Sequence, residues 1–482
     1  MHLHKLIKKI SFEGQTDTRD IKAIIYDSRK VTPGSLFIAI NGEKHDGEKF
    51  IPQAIENGAT AILSKKNGIP KDSIPFIHVG NPRRAMSAIS AQFYDNPSKK
   101  MQVIGITGTN GKTSITQILY QLLSRLNQDC GALGTLGFQT PSGMLSSNFT
   151  TPESVELQQM LNTLLMAGVK NVIMEVSSHA LSQFRVNDVD FNIAIFSNLS
   201  HDHLDFHKNM KSYFQSKLKL FSMLKPSGVA IINIDDPYSK QIISKTKAKI
   251  FSFGMDLNAM LHPVKIKYNT NGINVILNYK KNNISITTNL FGEYNLYNIM
   301  AAVSVCINQG INIKDIELAF NEPMEIPGRL EEVSSNIPGK VYLDYAHTPD
   351  SYEKVLSTIS ELYNENYELN VIFGCGGNRD KDKRHKMAEI AERYAKSIIV
   401  TTDNPRSEPI KEIISDIIKG FKTNNHQIIL DRKKAIHKTL NKMHDKSILL
   451  ILGKGHENYQ ETKFGKMPHN DKEIIENHIY ES

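Results

Sequence analysis

The sequence predicts an α/β chain of three domains, and three observations support this. The chain has 482 residues, more than one hydrophobic core organises, and about three domains is the expectation at this length. Short β-branched runs alternate with stretches of helical period, the pattern of parallel sheets covered by helices. Two proline-bearing polar junctions, Tyr94-Asp95-Asn96-Pro97-Ser98-Lys99-Lys100 and Glu325-Ile326-Pro327-Gly328-Arg329-Leu330-Glu331, interrupt the alternation. Domains at 1–98, 99–333 and 334–482 follow.

The first block carries short apolar runs at 23–26, 36–40, 61–63 and 76–79. The middle block opens on Val103-Ile104-Gly105-Ile106-Thr107-Gly108-Thr109-Asn110-Gly111-Lys112-Thr113, followed by Ile115, Ile118, Leu119, Leu122 and Leu126 at helical spacing. This order reads as strand, glycine loop and helix N-terminus, in which bare N–H groups close around a polyphosphate. Lys112 is placed to reach the β/γ-phosphates and the Thr113 hydroxyl to ligate Mg²⁺. The spacing departs from G-x-x-x-x-G-K-[ST], because Ile106 stands where the first glycine belongs. The alternative is a glycine turn with a chance lysine; the flanking strand and helix favour phosphate. Strands at 172–176 and 193–196 and a polar β-like stretch near 262–290 complete the block. The last block alternates again, with strands at 341–344, 371–373, 398–400 and 448–452. Doubly wound domains with sites at the carboxyl ends of strands are therefore expected.

Composition narrows the function classes. Forty per cent hydrophobic and 22% charged residues are ordinary for a folded chain. No apolar run reaches membrane-span length, and residues 1–10 lack a signal peptide's apolar core. Cys130, Cys306 and Cys375 are isolated and without metal-ligand spacing, so a reduced, cytoplasmic protein is expected. The net charge of +8 is spread along the chain without an aromatic-basic stripe. That argues against nucleic acid and leaves a general attraction for phosphate-bearing anions.

Several strand ends carry reactive groups. Glu175 closes a buried-type strand, where a carboxylate is costly unless paired or metal-bound, and it makes a plausible Mg²⁺ pair with Thr113. Ser200-His201-Asp202-His203-Leu204-Asp205-Phe206-His207 invites a zinc reading, which ranks below a magnesium–phosphate role because zinc ligands usually lie further apart. By composition alone, a surface His/Asp turn is favoured there. Lys217 shares a helical face with Tyr213, Leu220 and Phe221; residue physics gives it no more than a snorkelling side chain. In the last block Asp344 to Asp350, Gly374 to Asp380, Asp403 to Arg406 and Gly453 to Glu457 end four strands. Arginines there suit a carboxylate, and Asp403 and Glu457 an ammonium.

These motifs, taken in order, resemble the Mur ligases, ATP-dependent amide-bond-forming enzymes of bacterial cell-wall precursor synthesis. The resemblance rests on Asp27-Ser28-Arg29, Thr107 to Thr113, Thr150-Thr151-Pro152-Glu153, Glu175 to His179, His201 to Asp205, Asn295 and Asn298, Gly328-Arg329, Asp344 to Asp350 and Asp403 to Arg406. It implies an N-terminal UDP-sugar-binding domain, a central P-loop ATPase with a mostly parallel sheet, and a C-terminal Rossmann-like domain that binds the amino acid. Ser28, Glu43, Lys44, His45, Thr150, Thr151, Ser177, Gln183 and Arg185 would hold the UDP-muramoyl-dipeptide. Gly108, Thr109, Asn110, Gly111, Lys112, Thr113 and Ser114 would take ATP, with Asn298, Arg329 and Asp344 on its adenine and ribose side. Thr113, Glu175 and His203 would bind Mg²⁺, joined by Lys217, which falls at the family's CO₂-carbamylated position. Lys112, Glu175, His203 and Lys217 would carry the catalysis.

Arg379, Asp403, Asn404, Pro405, Arg406, Gly453 and Glu457 match the amino-acid pocket. Asp-Asn-Pro-Arg is the family's pattern for meso-diaminopimelate, whose distal carboxylate Arg406 would clamp while repelling the ammonium of lysine. The implied reaction adds meso-diaminopimelate to UDP-N-acetylmuramoyl-L-alanyl-D-glutamate through an acyl phosphate, in a monomer that closes its C-terminal domain before chemistry. The alternatives are addition of lysine, or of D-Ala-D-Ala, by a neighbouring member. Two departures stand beside functional positions: Phe149, where Asn or Leu is expected, and Pro409 directly after Glu408.

Overall fold

The computed structural model describes all residues except 15, 43–45, 67–73, 146–148, 334–335, 364–365 and 479–482. Among the described residues three large sheets follow one another along the chain, beside one two-stranded hairpin. The first is parallel throughout, in the order Ala23–Ile25, Ser35–Ile38, Ala59–Ser64, Phe76–His78. The largest has eleven strands. Its centre runs Leu261–Asn269, Lys249–Phe253, Val229–Asn233, Ile193–Phe196, Gln102–Thr107, Asn171–Glu175, Cys130–Gly134, all parallel. Antiparallel strands extend it at both ends: Gly272–Tyr279 and Asn282–Thr288 on one side, Gly137–Thr140 and Gly143–Leu145 on the other. The polar stretch near 262–290 is thus a meander that widens the sheet, its polarity reflecting an outer face in water.

The parallel centre is apolar on both faces because helices cover both. On one face Ile104, Ile106, Ile173 and Ile195 pack against Ile115, Ile118, Leu119 and Leu122 of the helix Lys112–Arg125 and against the helix Glu293–Asn308. On the other, Val103, Val172, Met174, Ala194 and Phe196 meet Leu157, Leu161 and Leu164 of Ser154–Met166 and Tyr213, Phe214, Leu220 and Phe221 of Met210–Met223. The alternation of sides along each strand produces this division. The strands consequently end together at one edge, where the phosphate loop emerges.

The third sheet runs Glu331–Glu332, Lys340–Asp344, Ser447–Leu452, Glu368–Phe373, Ser397–Val400, His426–Ile428, with only the first pair antiparallel. A separate hairpin, Tyr459–Thr462 with Gly465–Pro468, stands beside it. The chain enters this sheet at Gly328, whose φ is +66° and where a Cβ would lie 2.3 Å from the His456 nitrogen. The first sheet is tied to the middle one by Tyr26 Oη donating to Glu156 at 2.8 Å and by Arg83 donating to both oxygens of Glu153 at 2.9 Å. Among the described residues no helix is long and apolar enough to cross a membrane.

The third domain is clamped from below by a buried ion pair. Arg432 gives Nε and Nη2 to Asp471, with Nη2–Oδ2 at 2.6 Å, and Nη2 also reaches the Leu452 carbonyl at 3.0 Å. Both side chains are fully enclosed, and the guanidinium holds the Asp471 carboxyl far below the usual range. Arg432→Ala leaves that carboxylate buried without its cation. A loss of about 3–5 kcal/mol from the domain is expected, read as a lower denaturant midpoint for the unfolding of this part of the chain.

Candidate active site

The phosphate loop is built by its neighbours as much as by its glycines. Ser197 Oγ donates to the Asn110 carbonyl at 2.7 Å, Asn198 Nδ2 to the same oxygen at 3.1 Å, and the Asn110 N–H to Asn198 Oδ1 at 2.9 Å. A Cβ on Gly108 would lie 1.9 Å from Ser197 Oγ, so the loop tolerates no side chain there. Gly111 caps the following helix at φ +88°, close against Asn298. Neither Ser197 nor Asn198 belongs to the motif, and only the strand end at 193–196 hinted at them.

Lys112 folds back to donate to the carbonyls of Gly108 and Thr109 at 2.9 Å each. Lys217 does not snorkel: it is 1% exposed and donates to the same Gly108 carbonyl at 2.7 Å, with its ammonium over the Tyr213 ring. Burial, and secondly the charge of Lys112, push the Lys217 amine well below the usual lysine range, against the pull of Asp202. Lys112 is lowered too, by burial, with Glu175 and Asp202 opposing.

Glu175 is buried and takes its hydrogen bonds from neutral donors: the Thr113 hydroxyl at 3.1 Å, the Thr135 hydroxyl at 3.1 Å and the Thr135 N–H at 2.8 Å. A buried carboxylate so placed, next to a threonine hydroxyl and a phosphate loop, is the donor set of a hard cation. Among the described residues no three carboxylates, imidazoles or thiols converge, so such an ion would complete its shell with phosphate oxygens and water. His203 and His207 pack around the ring of His179, with centroids 4.9 and 5.5 Å away, while His201 turns to Asp380, so the three do not form the zinc arrangement. His201 Nε2 meets Asp380 at 3.3 Å, His203 Nε2 meets Asp202 at 3.3 Å, and His207 Nε2 meets the Ser178 hydroxyl at 2.9 Å. The protein walls around His203 lower its imidazole below the usual range, against the pull of Asp202. Nor is the cluster a surface turn, since Asp202 and His207 are buried.

One cavity of about 1650 Å³ joins the middle and third domains, lined by the phosphate loop, Glu175, Lys217, Arg329, Asp344 and the Asp403–Arg406 turn among others. Thr150, Thr151, Ser177, Gln183 and Arg185 line it together. Arg185 organises them, donating to the Thr151 carbonyl at 2.9 Å and to Gln183 at 2.6 Å and pairing with Glu153 at 3.2 Å. Phe149 lies at the same place, half exposed, with the Arg185 guanidinium 5.4 Å over its ring. Arg329 donates to the Thr113 hydroxyl at 3.2 Å and rests on Tyr345. Asp344 spends its carboxylate on the N–H groups of Leu330 and Ala346, at 2.7 and 2.6 Å. Asn298 is held by Asn295 at 3.0 Å. Asp350, from the third domain, accepts from Asn110 at 2.6 Å, so the two domains already touch at the loop.

Ser28 is not brought to this cavity. It is buried in the first domain and donates to Gln53 at 2.7 Å. Glu43, Lys44 and His45 lie outside the described residues. Gly108 and Pro405 lie behind the lining, as backbone supports. In the third domain Asn404 donates to Glu457 at 2.8 Å, and the buried Lys454 donates to both, at 3.2 Å to Asn404 and 2.9 Å to Glu457. Gly453, at φ +105°, lets Asp403 Oδ2 approach within 2.5 Å of where a Cβ would be. Glu408, beside the unusual Pro409, is locked by Arg384, Lys381 and the Asn378 N–H, which hold its carboxyl down to about 2. That proline therefore adjoins a structural anchor. Sequence reasoning missed Lys383, which faces His347 and helps burial push it down to about 4, and Glu461; it marked the stretches that hold Asp350 and Lys454 but gave these two no role.

A phosphate loop, a buried cation-seeking carboxylate and an amino-acid-sized turn facing each other across one cleft define a nucleotide-dependent ligase. The chain belongs to the Mur ligase family: the family's middle domain matches residues 106–306, its glutamate ligase domain 328–455 and its catalytic domain 20–94. It is an ATP-dependent ligase. It is 38% identical, over all of both chains, to the UDP-N-acetylmuramoyl-L-alanyl-D-glutamate–2,6-diaminopimelate ligase of Caldanaerobacter subterraneus. It is 39% identical to the ligase of the same name from Chlamydia pneumoniae, covering 98% of this chain and 97% of that one. A solved structure of a ligase of that name superposes with a TM-score of 0.68 at 29% identity over 98% of each chain. MurF from Acinetobacter baumannii shares the fold at the same TM-score with 20% identity, over 96% of each.

Gly111→Ala would force a side chain into a left-handed turn and against Asn298 Oδ1, 2.5 Å away. ADP affinity measured by titration calorimetry is expected to fall at least about tenfold.

Proposed function

We propose that this chain joins meso-diaminopimelate to the D-glutamyl carboxylate of UDP-N-acetylmuramoyl-L-alanyl-D-glutamate, with cleavage of ATP to ADP and phosphate. The observation that carries this reading is the turn Asp403-Asn404-Pro405-Arg406, which faces the same cavity as the phosphate loop together with Arg379, Gly453 and Glu457. An arginine and acidic groups in one pocket suit an amino acid that bears a second carboxylate and a second ammonium. The relatives named above carry this substrate in their names, which supports the same assignment.

The loop N–H groups and Lys112 would neutralise the triphosphate while the glutamyl carboxylate, held near Thr150, Thr151, Ser177 and Arg185, attacks the γ-phosphorus in line. The resulting acyl phosphate is then attacked by the diaminopimelate amine, and phosphate leaves. Positioning and charge neutralisation supply the rate. Thr113 and Glu175, with His203, would hold Mg²⁺, which adds charge neutralisation on the phosphates. The depressed basicity of Lys217 favours the neutral amine, the form that would add CO₂ to give a carbamate able to join the Mg²⁺ shell. Asn298, Arg329 and Asp344 would face the nucleoside, Arg329 reaching towards its phosphate end. Ser28 and residues 43–45 would take the UDP end in the first domain. A monomer acting in the cytoplasm is part of this reading.

ATP turnover measured on the UDP-dipeptide with a panel of amino acids tests the assignment. meso-Diaminopimelate should be used best, and equal or better use of lysine, or of D-Ala-D-Ala on the tripeptide, overturns it. In the same assay Arg406→Ala is expected to raise KM for diaminopimelate about a hundredfold and leave the phosphate chemistry intact.

A further inference from the structure

Glu153 stands at the head of the helix Ser154–Met166, where a side-chain oxygen ordinarily accepts the helix's own first N–H groups. It makes no such bond; the buried carboxylate is turned instead to two arginines. Arg83, from the first domain, sets Nη1 2.9 Å from both Glu153 oxygens. Arg185 reaches only Oε1, at 3.2 Å, and serves the Thr151 carbonyl and Gln183 as well. Arg83 is itself fixed, with Nε on the Asn41 carbonyl at 3.4 Å. Val155, the second residue of the helix, is packed into the core of the first domain, so Glu153 cannot swing away from Arg83. Of the three charged side chains, only Arg185 lines the cavity.

Two guanidinium groups share one carboxylate, so the trio carries one positive charge in excess. The distances decide where that excess lies. Arg83 claims both oxygens at the shorter distance, and Arg185 is left with the longer contact to one of them. Glu156, one turn further along the same helix, is engaged by the Tyr26 hydroxyl at 2.8 Å. We propose that Arg83 is a positioning residue: it occupies Glu153 and so keeps the charge of Arg185 for a carboxylate of the acceptor. This inference rests on the function proposed above, in which Arg185 helps to hold the D-glutamyl residue. Without Arg83, the buried Glu153 has one cation left within reach and draws Arg185 into a two-pronged pair. The acceptor then competes with a fixed carboxylate for the same guanidinium. Arg83 thus acts on the substrate from the first domain without touching it.

The test is steady-state kinetics of the full chain with ATP, meso-diaminopimelate and the UDP-dipeptide. Arg83→Met should raise KM for the UDP-dipeptide about tenfold. It should hold kcat within about twofold and leave KM for ATP and for diaminopimelate unchanged. Arg83→Lys, which keeps a charge on Glu153, should fall between the wild type and Arg83→Met. Adding Glu153→Gln to Arg83→Met removes the competing carboxylate and should bring KM for the UDP-dipeptide back to within about threefold of the wild type. If Arg83 were only a brace between two domains, the second substitution would add to the damage. A double variant as impaired as Arg83→Met, or more so, therefore overturns the proposal. So does an Arg83→Met enzyme with an unchanged KM, or with all three KM values raised together. A wild-type enzyme that does not turn over the UDP-dipeptide overturns instead the function on which the inference rests, and this shows before any variant is made.

Discussion

Two lysine amino groups, from Lys112 and Lys217, converge on the carbonyl oxygen of Gly108, at 2.9 and 2.7 Å. The rest of the site depends on that convergence. Both are cut off from water, and the charge of Lys112 helps to depress the basicity of Lys217. Their position at the carboxyl edge of the parallel sheet, above the amino end of the helix Lys112–Arg125, adds backbone N–H groups of the same polarity. Lys112 and these N–H groups together suit the polyphosphate of the proposed reaction. Glu175, buried among neutral donors a short distance away, supplies the opposite need for a cation. The neighbouring loop at Ser197 and Asn198 fixes the geometry so that neither group can relax away.

The domain order follows from this centre. The middle sheet buries both faces and can only offer chemistry at its strand ends, so partners must approach from the edge. The third domain does so with the ends of its own strands, bringing Asp350 onto Asn110 and Arg329 onto Thr113. The amino-acid turn thereby faces the phosphate loop across the cavity. Arg432 and Asp471, although remote from the cavity, hold the carbonyl of Leu452, the residue before Gly453.

The strands, the phosphate loop with its helix, and the clustering of acid and arginine at strand ends were legible because each is encoded locally, in periodicity or in adjacent residues. The Mur ligase resemblance was legible for the same reason, since its motifs are short and contiguous. What escaped depends on distance in the sequence. Lys217 reads as an ordinary amphipathic lysine until Gly108, 109 residues earlier, is seen accepting its proton. The histidines at 201, 203 and 207 look like a metal set on the page, yet the left-handed turn at His203 and the helix that follows set His203 and His207 around the ring of His179 and leave His201 on Asp380.

Arg406 illustrates the same divide most sharply. Its charge, and therefore the sign of the group it recognises, is a property of the sequence. Which edge of its guanidinium remains for a ligand is set by Glu461, on a hairpin 55 residues further along the chain. The sequence by itself determined three α/β units, a polyphosphate loop and an amino-acid pocket, since local patterns of burial and charge specify these. Only the tertiary structure decided which lysine is stripped of water, which carboxylate is buried among neutral donors and which arginine edge is occupied. Desolvation and pairing are set by neighbours that folding, not chain order, brings together.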